Sequence, residues 1–156
     1  MKVIVAAVGK PRNAELAAAI EHYEERAAKY WPLEIRVVKE ENAHGAGDAQ
    51  IARVKDKEAE RLDERVEGAT VIACDERGTT MTSPRFATML KEFRERARDV
   101  AFVIGGAYGI ADALRDRAQT RLALAPWTLP HELARLVLAE QLYRAGTIVR
   151  GEPYHK

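Results

Sequence analysis

The chain has 156 residues, 47% of them hydrophobic and 31% charged, with a formal net charge of +1, which is the balance of a globular protein rather than of a disordered chain. This near-neutral charge excludes steering to nucleic acid by an overall positive field, and the single cysteine, Cys74, excludes an internal disulfide and a cysteine-rich metal site. The length predicts a single domain over residues 1–156, and the lone cysteine fits a reducing, cytoplasmic setting. No apolar run approaches the roughly 18 residues of a membrane span, so we expect no membrane partner, and we expect no metal.

Short apolar runs alternate with amphipathic segments along the whole chain. The predicted strands cover residues 3–8, 33–38, 69–74, 100–104 and 121–125. Helices are predicted to begin after the capping residues Asn13, Asp48 and Thr82 or Ser83, and at Ala111 and Pro130. The second helix is heavily charged with a thin apolar stripe, so we expect it at the periphery. This alternation predicts an α/β fold with a mainly parallel sheet and helices on both faces.

Three of the predicted strands end in unusual residues. The third ends in Cys74-Asp75, the fourth in Gly105-Gly106, and the fifth runs into residues 124–129. Ligands bind at the carboxyl ends of parallel strands, so a binding site is expected where these ends meet. A cysteine that follows an apolar strand belongs more often to the core than to a nucleophilic site, and nothing in the sequence marks a lowered pKa.

The glycines at 105, 106 and 109 follow the fourth predicted strand. Their spacing, Gly-Gly-x-x-Gly, differs from the Gly-x-Gly-x-x-Gly that follows the first strand of dinucleotide-binding proteins. No lysine and hydroxyl pair follows to make a phosphate loop. Two interpretations stay open, namely a backbone that approaches a ligand closely and a tight turn without a ligand.

The last segment, residues 135–156, combines basic and aromatic side chains. These include Tyr143, Arg144, Arg150, Tyr154 and His155. Basic groups interleaved with aromatic rings suit an RNA phosphate and an unstacked base, whereas a frayed C-terminus explains the same residues equally well. The spacing of Glu140 and Arg144 predicts an i,i+4 surface pair worth roughly 0.3–0.5 kcal/mol.

Three ordered motifs close the chain. They read Leu-Pro-His at residues 129–131, Glu-Gln-Leu-Tyr-Arg-Ala at 140–145 and Gly-Glu-Pro-Tyr-His-Lys at 151–156. Together they resemble the C-terminal signature of the ribosomal RNA large-subunit methyltransferase H family. The likeness extends over nearly the whole chain, including Ala-Val-Gly-Lys at residues 7–10 and Val-Ile-Gly-Gly at 103–106.

The resemblance implies a SPOUT-class α/β-knot methyltransferase, in which the C-terminal segment threads through a loop to form a trefoil knot. General rules of topology argue against knots, so this expectation follows from the resemblance alone. It further implies a homodimer that uses S-adenosylmethionine to methylate N3 of a pseudouridine in 23S ribosomal RNA, with the assembled ribosome as substrate. The last predicted helix also favours a dimer, because it has more apolar positions than one sheet face needs.

The resemblance also assigns the site residues. The cofactor pocket would involve Cys74, Gly105, Leu124, Ala125, Pro126, Trp127, Thr128 and Leu129. We hypothesise that Arg144, Tyr154 and His155 hold the RNA base and its phosphate. His155 is the expected proton acceptor, because imidazole changes its protonation near neutral pH. Three positions carry residues that differ from those common in the family, namely Thr79, Cys74 and Ala125. These differences affect side-chain contacts in the pocket, whereas a pocket formed by backbone groups does not depend on them.

Two other functions stay compatible with these residues. One is a non-catalytic ribosome-binding module that uses the tail as a docking arm, and failure to bind S-adenosylmethionine would identify it. The other is a methyltransferase of the same fold that acts on a different RNA such as tRNA. The chain has no additional RNA-binding domain, so RNA selection would then have to come from the dimer surface.

Overall fold

The computed structural model describes residues 1–156 and contains a five-stranded sheet. The strands are β1 (Val3–Val8), β2 (Leu33–Val38), β3 (Thr70–Thr80), β4 (Val100–Ile104) and β5 (Thr120–Ala123). The helices are α1 (Ala14–Ala28), α2 (Asp48–Arg65), α3 (Ser83–Glu95), α4 (Asp112–Arg117) and α5 (His131–Arg150), and a short 3-10 helix covers Pro153–His155. The strand order is β2-β1-β4-β3-β5, and every pair is parallel, which agrees with the predicted α/β class.

The two faces of the sheet bury separate cores, because neighbouring residues of a strand point to opposite sides. On one face, Val5 and Phe102 pack with α1, α3 and α5. On the other face, Ala6 and Val103 pack beneath α2 and α4. Helices therefore cover both faces, as the alternation of elements predicts. None of the helices combines the length and the apolar character that crossing a membrane requires.

The predicted elements are confirmed in type and order, and the differences lie at their ends. The third strand continues past Cys74 to Thr80, because a bulge lets both Cys74 and Thr79 pair with Leu122 of β5. The fifth strand ends at Ala123 instead of residue 125. The predicted cap at Asp48 is wrong, since Gly47 holds the N-cap position and no side chain caps α2.

The C-terminal tail folds back along α5. Gly151 adopts a left-handed conformation at φ 72°, and its N–H donates to the Ile148 carbonyl over 3.0 Å. The N–H of Glu152 donates to the Thr147 carbonyl over 2.9 Å. This is the arrangement in which a glycine ends a helix and reverses the chain. The tail is therefore packed against the helix, and the interpretation as a frayed terminus is wrong.

Candidate functional site

A cavity of about 730 Å³ opens at the carboxyl edge of the sheet. It is lined by the bulged middle of β3, the loop after β4, the loop between β5 and α5, the first turn of α5, and one side chain each of α2 and α4. Of the residues that the sequence assigns to a cofactor pocket, the following line it: Cys74, Gly105, Leu124, Ala125, Trp127, Thr128 and Leu129. Pro126 lies in the same loop but outside the lining. The three strand ends therefore meet at one site.

A second hollow, of about 910 Å³, lies at the opposite edge of the sheet. It is formed by the end of α2 and the turn after it, the start of β3, the turn between α3 and β4, and the end of α4. None of the residues predicted for the cofactor or the RNA reaches it. The cavity at the carboxyl edge is therefore the candidate functional site, although it is the smaller of the two.

The loop after β4 folds tightly on itself. The N–H of Gly109 donates to the Gly106 carbonyl over 3.0 Å, and a side chain at Gly105 would place its Cβ 2.5 Å from the Gly109 carbonyl carbon. At Gly106 a Cβ would lie 2.8 Å from the buried Glu58 carboxyl. Packing against backbone thus already requires glycine at 105, which supports the tight-turn interpretation, whereas at Gly106 the end of the Glu58 side chain would have to move. Residues 105–110 of this loop also line the cavity.

An ion pair between Asp75 and Arg115 supports the cavity floor. Both side chains are nearly buried, and Arg115 also donates to the Ile110 carbonyl over 3.0 Å. Burial opposes the charge on Asp75, but the Arg77 N–H and the guanidinium groups of Arg115 and Arg77 outweigh it, so its pKa lies below the ordinary value. The pair therefore holds the bulged middle of β3 against α4 and, through the Ile110 carbonyl, against the loop that leads into α4.

Cys74 contributes packing rather than reactivity to this cavity. Burial raises the pKa of its thiol to about 12, so the thiol is uncharged at neutral pH. Because the thiolate is the nucleophilic form of cysteine, Cys74 is not a nucleophile here. This agrees with the expectation that Cys74 belongs to the core.

The loop between β5 and α5 forms the outer wall of the cavity. The Thr128 hydroxyl donates to the Glu76 carboxylate, which ties this loop to the extension of β3. Leu124 and Leu129 pack against the core, whereas Trp127 exposes 77% of its surface. Leu124 and Leu129 thus form the apolar part of this wall.

The Glu140 carboxylate is the centre of a second polar cluster, on α5 and the tail. It accepts a hydrogen bond of 2.6 Å from the Arg144 guanidinium, one of 3.1 Å from the Tyr154 hydroxyl and one of 2.9 Å from the Gln141 amide. The hydrogen bond to Glu140 raises the pKa of Arg144, which stays charged. The pair is only about a quarter exposed, so the interpretation as a plain surface pair understates its role.

Tyr154 is fixed by aromatic neighbours as well as by Glu140. Its ring meets that of Tyr143 edge-on at 4.6 Å between centroids. Burial, together with hydrogen bonds to Tyr23 and Glu140, raises the pKa of Tyr154 to about 12. The hydroxyl is therefore protonated at neutral pH, so it can donate a hydrogen bond but cannot act as a base.

Arg26 of α1 belongs to this cluster, although its sequence pattern places it on the solvent side of the helix. Its guanidinium lies 4.1 Å from the centroid of the Tyr143 ring and donates to the Tyr143 hydroxyl over 2.6 Å. It also lies 5.6 Å from the Tyr154 ring centroid. Such cation–π contacts stabilise an aromatic cluster. The sequence feature that could have indicated this contact is the position of Arg26 one helical turn after the aromatic residue Tyr23.

The two groups of predicted site residues are not brought together within one chain. From Ala134, the last residue of α5 that lines the cavity, to Arg144 the helix rises about 15 Å at about 1.5 Å per residue. Arg144 and Tyr154 lie beside each other, and His155 is exposed next to them at the end of the tail. None of these three lines the cavity of the same chain.

Comparisons with known proteins agree with this architecture. The family model described as "Predicted SPOUT methyltransferase" matches residues 1–155. A protein of Gemmatimonas aurantiaca named "Ribosomal RNA large subunit methyltransferase H" is 59% identical over 157 residues, covering 100% of both chains. A protein of the same name from Anaeromyxobacter sp. (strain Fw109-5) is 50% identical, again over 100% of both. A probable methylase family protein from Haemophilus influenzae has a similar fold, with a TM-score of 0.56, 15% identity and coverage of 99% of this chain and 70% of that one.

Proposed function

This chain belongs to the ribosomal RNA large subunit methyltransferase H family of SPOUT methyltransferases, and from that premise we propose that it methylates N3 of a pseudouridine in 23S ribosomal RNA. S-adenosylmethionine is the methyl donor and the assembled ribosome is the substrate. The observation that carries the proposal is the agreement with relatives of that name along the whole chain.

The residues of the cavity fit S-adenosylmethionine. Its volume of about 730 Å³ lies within the range of ligand sites, roughly 300–1,000 Å³. Backbone groups of the glycine loop and of residues 124–129 would hold the polar edge of the adenine, and Leu124 and Leu129 would enclose the ring. When bound, this cofactor supplies a methyl group made electrophilic by a sulfonium. The protein's part is to orient the acceptor nitrogen toward the methyl group and to keep water out.

The acceptor nitrogen carries a proton that has to leave. His155 is exposed at the end of the tail, where an RNA base can reach it, and we assign it the role of proton acceptor. Arg144 stays charged and binds the RNA phosphate, and Tyr154, whose hydroxyl proton is donated to Glu140, accepts a hydrogen bond from the base through its hydroxyl oxygen. The Glu140 carboxylate holds both side chains in place.

A homodimer joins the two halves of the site. One chain alone leaves Arg144 about 15 Å along α5 from the cavity, at about 1.5 Å per residue. Leu133, Leu136 and Val137 are partly exposed apolar residues on the same helix, and a second copy would cover them. In a two-fold dimer the tail of one subunit then completes the cavity of the other. The trefoil knot implied by the family resemblance stays a prediction.

The test is transfer of tritiated methyl groups to ribosomes from a strain that lacks this gene, followed by mapping of the labelled base. We expect label at one pseudouridine of 23S ribosomal RNA in assembled ribosomes, and little in protein-free RNA. Label in tRNA would support a methyltransferase with a different RNA target. Failure to bind S-adenosylmethionine, measured by calorimetry at millimolar ligand, would support a non-catalytic ribosome-binding module.

A further inference from the structure

Helix α2 contributes one side chain to the cavity lining, although its charged sequence predicts a peripheral helix. Lys55 is half-buried and lines the cavity beside the glycine loop. Glu58, almost one turn further along, lies directly under Gly106, since a Cβ built on that glycine would be 2.8 Å from the carboxyl oxygen. One face of α2 therefore contacts the proposed cofactor loop through two ionisable side chains.

Among the cationic side chains that line the cavity, Lys55 is the one without a partner. Arg115 pairs with Asp75 and with Asp112, and Arg77 lies 3.6 Å from Asp75. No carboxylate lies within ion-pair distance of the Lys55 ammonium, so its charge is available to a ligand. Nearly all cationic groups taken from water into a protein cavity have an anionic or hydrogen-bonding partner there.

Glu58 does not neutralise Lys55. One of its carboxyl oxygens accepts the Glu41 N–H over 3.2 Å, and the other is buried without a hydrogen-bond partner. Burial raises the pKa of Glu58, with Glu40 and Glu41 adding to the shift and the Glu41 N–H and Arg61 opposing it. The Glu58 carboxyl lies outside ion-pair distance of the Lys55 ammonium, and its raised pKa weakens its negative charge. The ammonium of Lys55 therefore stays free.

We infer that Lys55 binds the carboxylate of the amino-acid part of S-adenosylmethionine; the inference rests on the proposed function. That carboxylate is the only negative group of the cofactor, and in a cavity partly closed to water it needs a cation. Lys55 is the free cation among the lining residues, and it lies at the glycine loop rather than at the distant RNA-binding tail. It is thus a specificity-determining residue, which separates the cofactor from adenosine compounds without the amino-acid part.

The test is calorimetric binding of S-adenosylhomocysteine and of 5′-methylthioadenosine, which lacks the amino-acid part, to purified wild-type protein and variants. In K55A we expect about a tenfold loss of affinity for S-adenosylhomocysteine, equivalent to about 1.4 kcal/mol, and no change for methylthioadenosine. K55E should lose more, because its carboxylate repels that of the ligand, and K55R should lose less. K57A is the matched control, since Lys57 lies on the same helix and pairs with Glu60 outside the cavity.

Unchanged affinity of K55A for S-adenosylhomocysteine overturns the inference. An equal loss for both ligands also overturns it, because it indicates a disturbed cavity rather than a lost charge contact. Weaker ribosome binding with normal S-adenosylhomocysteine binding would instead assign Lys55 to an RNA phosphate. If the wild type binds neither ligand, the proposed function itself is wrong, an outcome distinct from the failure of K55A alone.

Discussion

The hydroxyl of Tyr154 donates to a carboxylate oxygen of Glu140 over 3.1 Å, and this bond fastens the C-terminal tail to the middle of α5. The same carboxylate pairs with Arg144, so a single acidic side chain orients two of the three residues assigned to the RNA. An exposed i,i+4 pair would contribute only a few tenths of a kcal/mol to stability. The main role of Glu140 is therefore to position the side chains of Arg144 and Tyr154.

Replacing Glu140 by alanine should impair methylation more than stability. Arg144 and Tyr154 lose their shared acceptor, so we expect methyl transfer to fall on the order of tenfold, since small errors in position slow a bound reaction strongly. Affinity for S-adenosylhomocysteine should not change. The measurement is a methyl-transfer assay with calorimetry alongside. E92A is the control, because Glu92 forms an exposed i,i+4 pair with Arg96 on α3; an equal effect of both variants would contradict a positioning role.

Replacing His155 by alanine should remove the proton acceptor. We expect methyl transfer to fall by about 100-fold or more, the usual contribution of general base catalysis. Cofactor affinity and thermal stability should stay at wild-type values, since His155 is exposed and outside the cavity. K156A provides the control at the adjacent exposed position. Full activity of H155A would remove His155 from the mechanism.

Mixed dimers should reveal which tail serves which cavity. H155A provides an intact cavity with an inactive tail, and A125W provides an intact tail with a cavity blocked at a lining residue. The two variants are refolded together in equal amounts, so that half of the dimers contain one chain of each kind. If tails act across the dimer, each mixed dimer has one complete site where a wild-type dimer has two, and the mixture should regain about a quarter of wild-type activity. No recovery would mean that each tail serves its own chain. Light scattering of each protein should give the mass of a dimer.

Tyr154 should make stability depend on alkaline pH. Its pKa is raised from 10.0 to about 12, so its contribution is complete below pH 10 and is lost as the pH rises through about 12. Urea unfolding should therefore show wild type more stable than Y154F at pH 8, with the difference shrinking toward pH 12. Between pH 6 and 9 both proteins should have methyl-transfer profiles of the same shape. A difference independent of pH would contradict the assigned protonation.

Gly105 should not tolerate a methyl group. The Cβ of alanine would lie 2.5 Å from the Gly109 carbonyl carbon and 2.8 Å from the Ile110 nitrogen, both backbone atoms, so we expect G105A to lose about 3 kcal/mol of stability through overpacking. The displaced loop should also weaken S-adenosylhomocysteine binding. G47A is the control, since nothing lies within 4 Å of a Cβ there, and only the poorer N-cap, about 0.5–1 kcal/mol, is expected. Equal unfolding midpoints for both variants would refute the packing argument.

Features that depend on a few neighbouring residues were predictable. Asn13 accepts the Leu16 N–H over 2.9 Å and Thr82 accepts the Arg85 N–H over 3.3 Å, as their positions before apolar periodic segments indicate. Asp48 failed as a cap because Gly47, one position earlier, already has the extended conformation of an N-cap residue. A shift of one residue at a helix end is decided by backbone geometry that the sequence pattern does not contain.

The partners of charged side chains were not predictable, because they come from elements far apart in the chain. The sequence pattern places Arg26 on the solvent side of α1, but in the folded protein Tyr143 of α5 packs against it. Lys55 belongs to a highly charged helix, but the packing of that helix on the second face of the sheet places Lys55 beside the glycine loop. Hydrophobic periodicity indicates which face of a helix is buried but not which distant residue meets the edge of that face.

The sequence alone determined the α/β class, the order of the elements and the cavity edge, since the carboxyl ends of parallel strands meet at one edge of a sheet. Only the tertiary structure decided that the tail packs on α5 around Glu140 and that Arg144 lies about 15 Å along that helix from the cavity, at about 1.5 Å per residue. The physical reason is that α5 is rigid and that Gly151 turns the tail back along it, so the tail contacts the middle of the helix rather than the loop of residues 124–129 at its start.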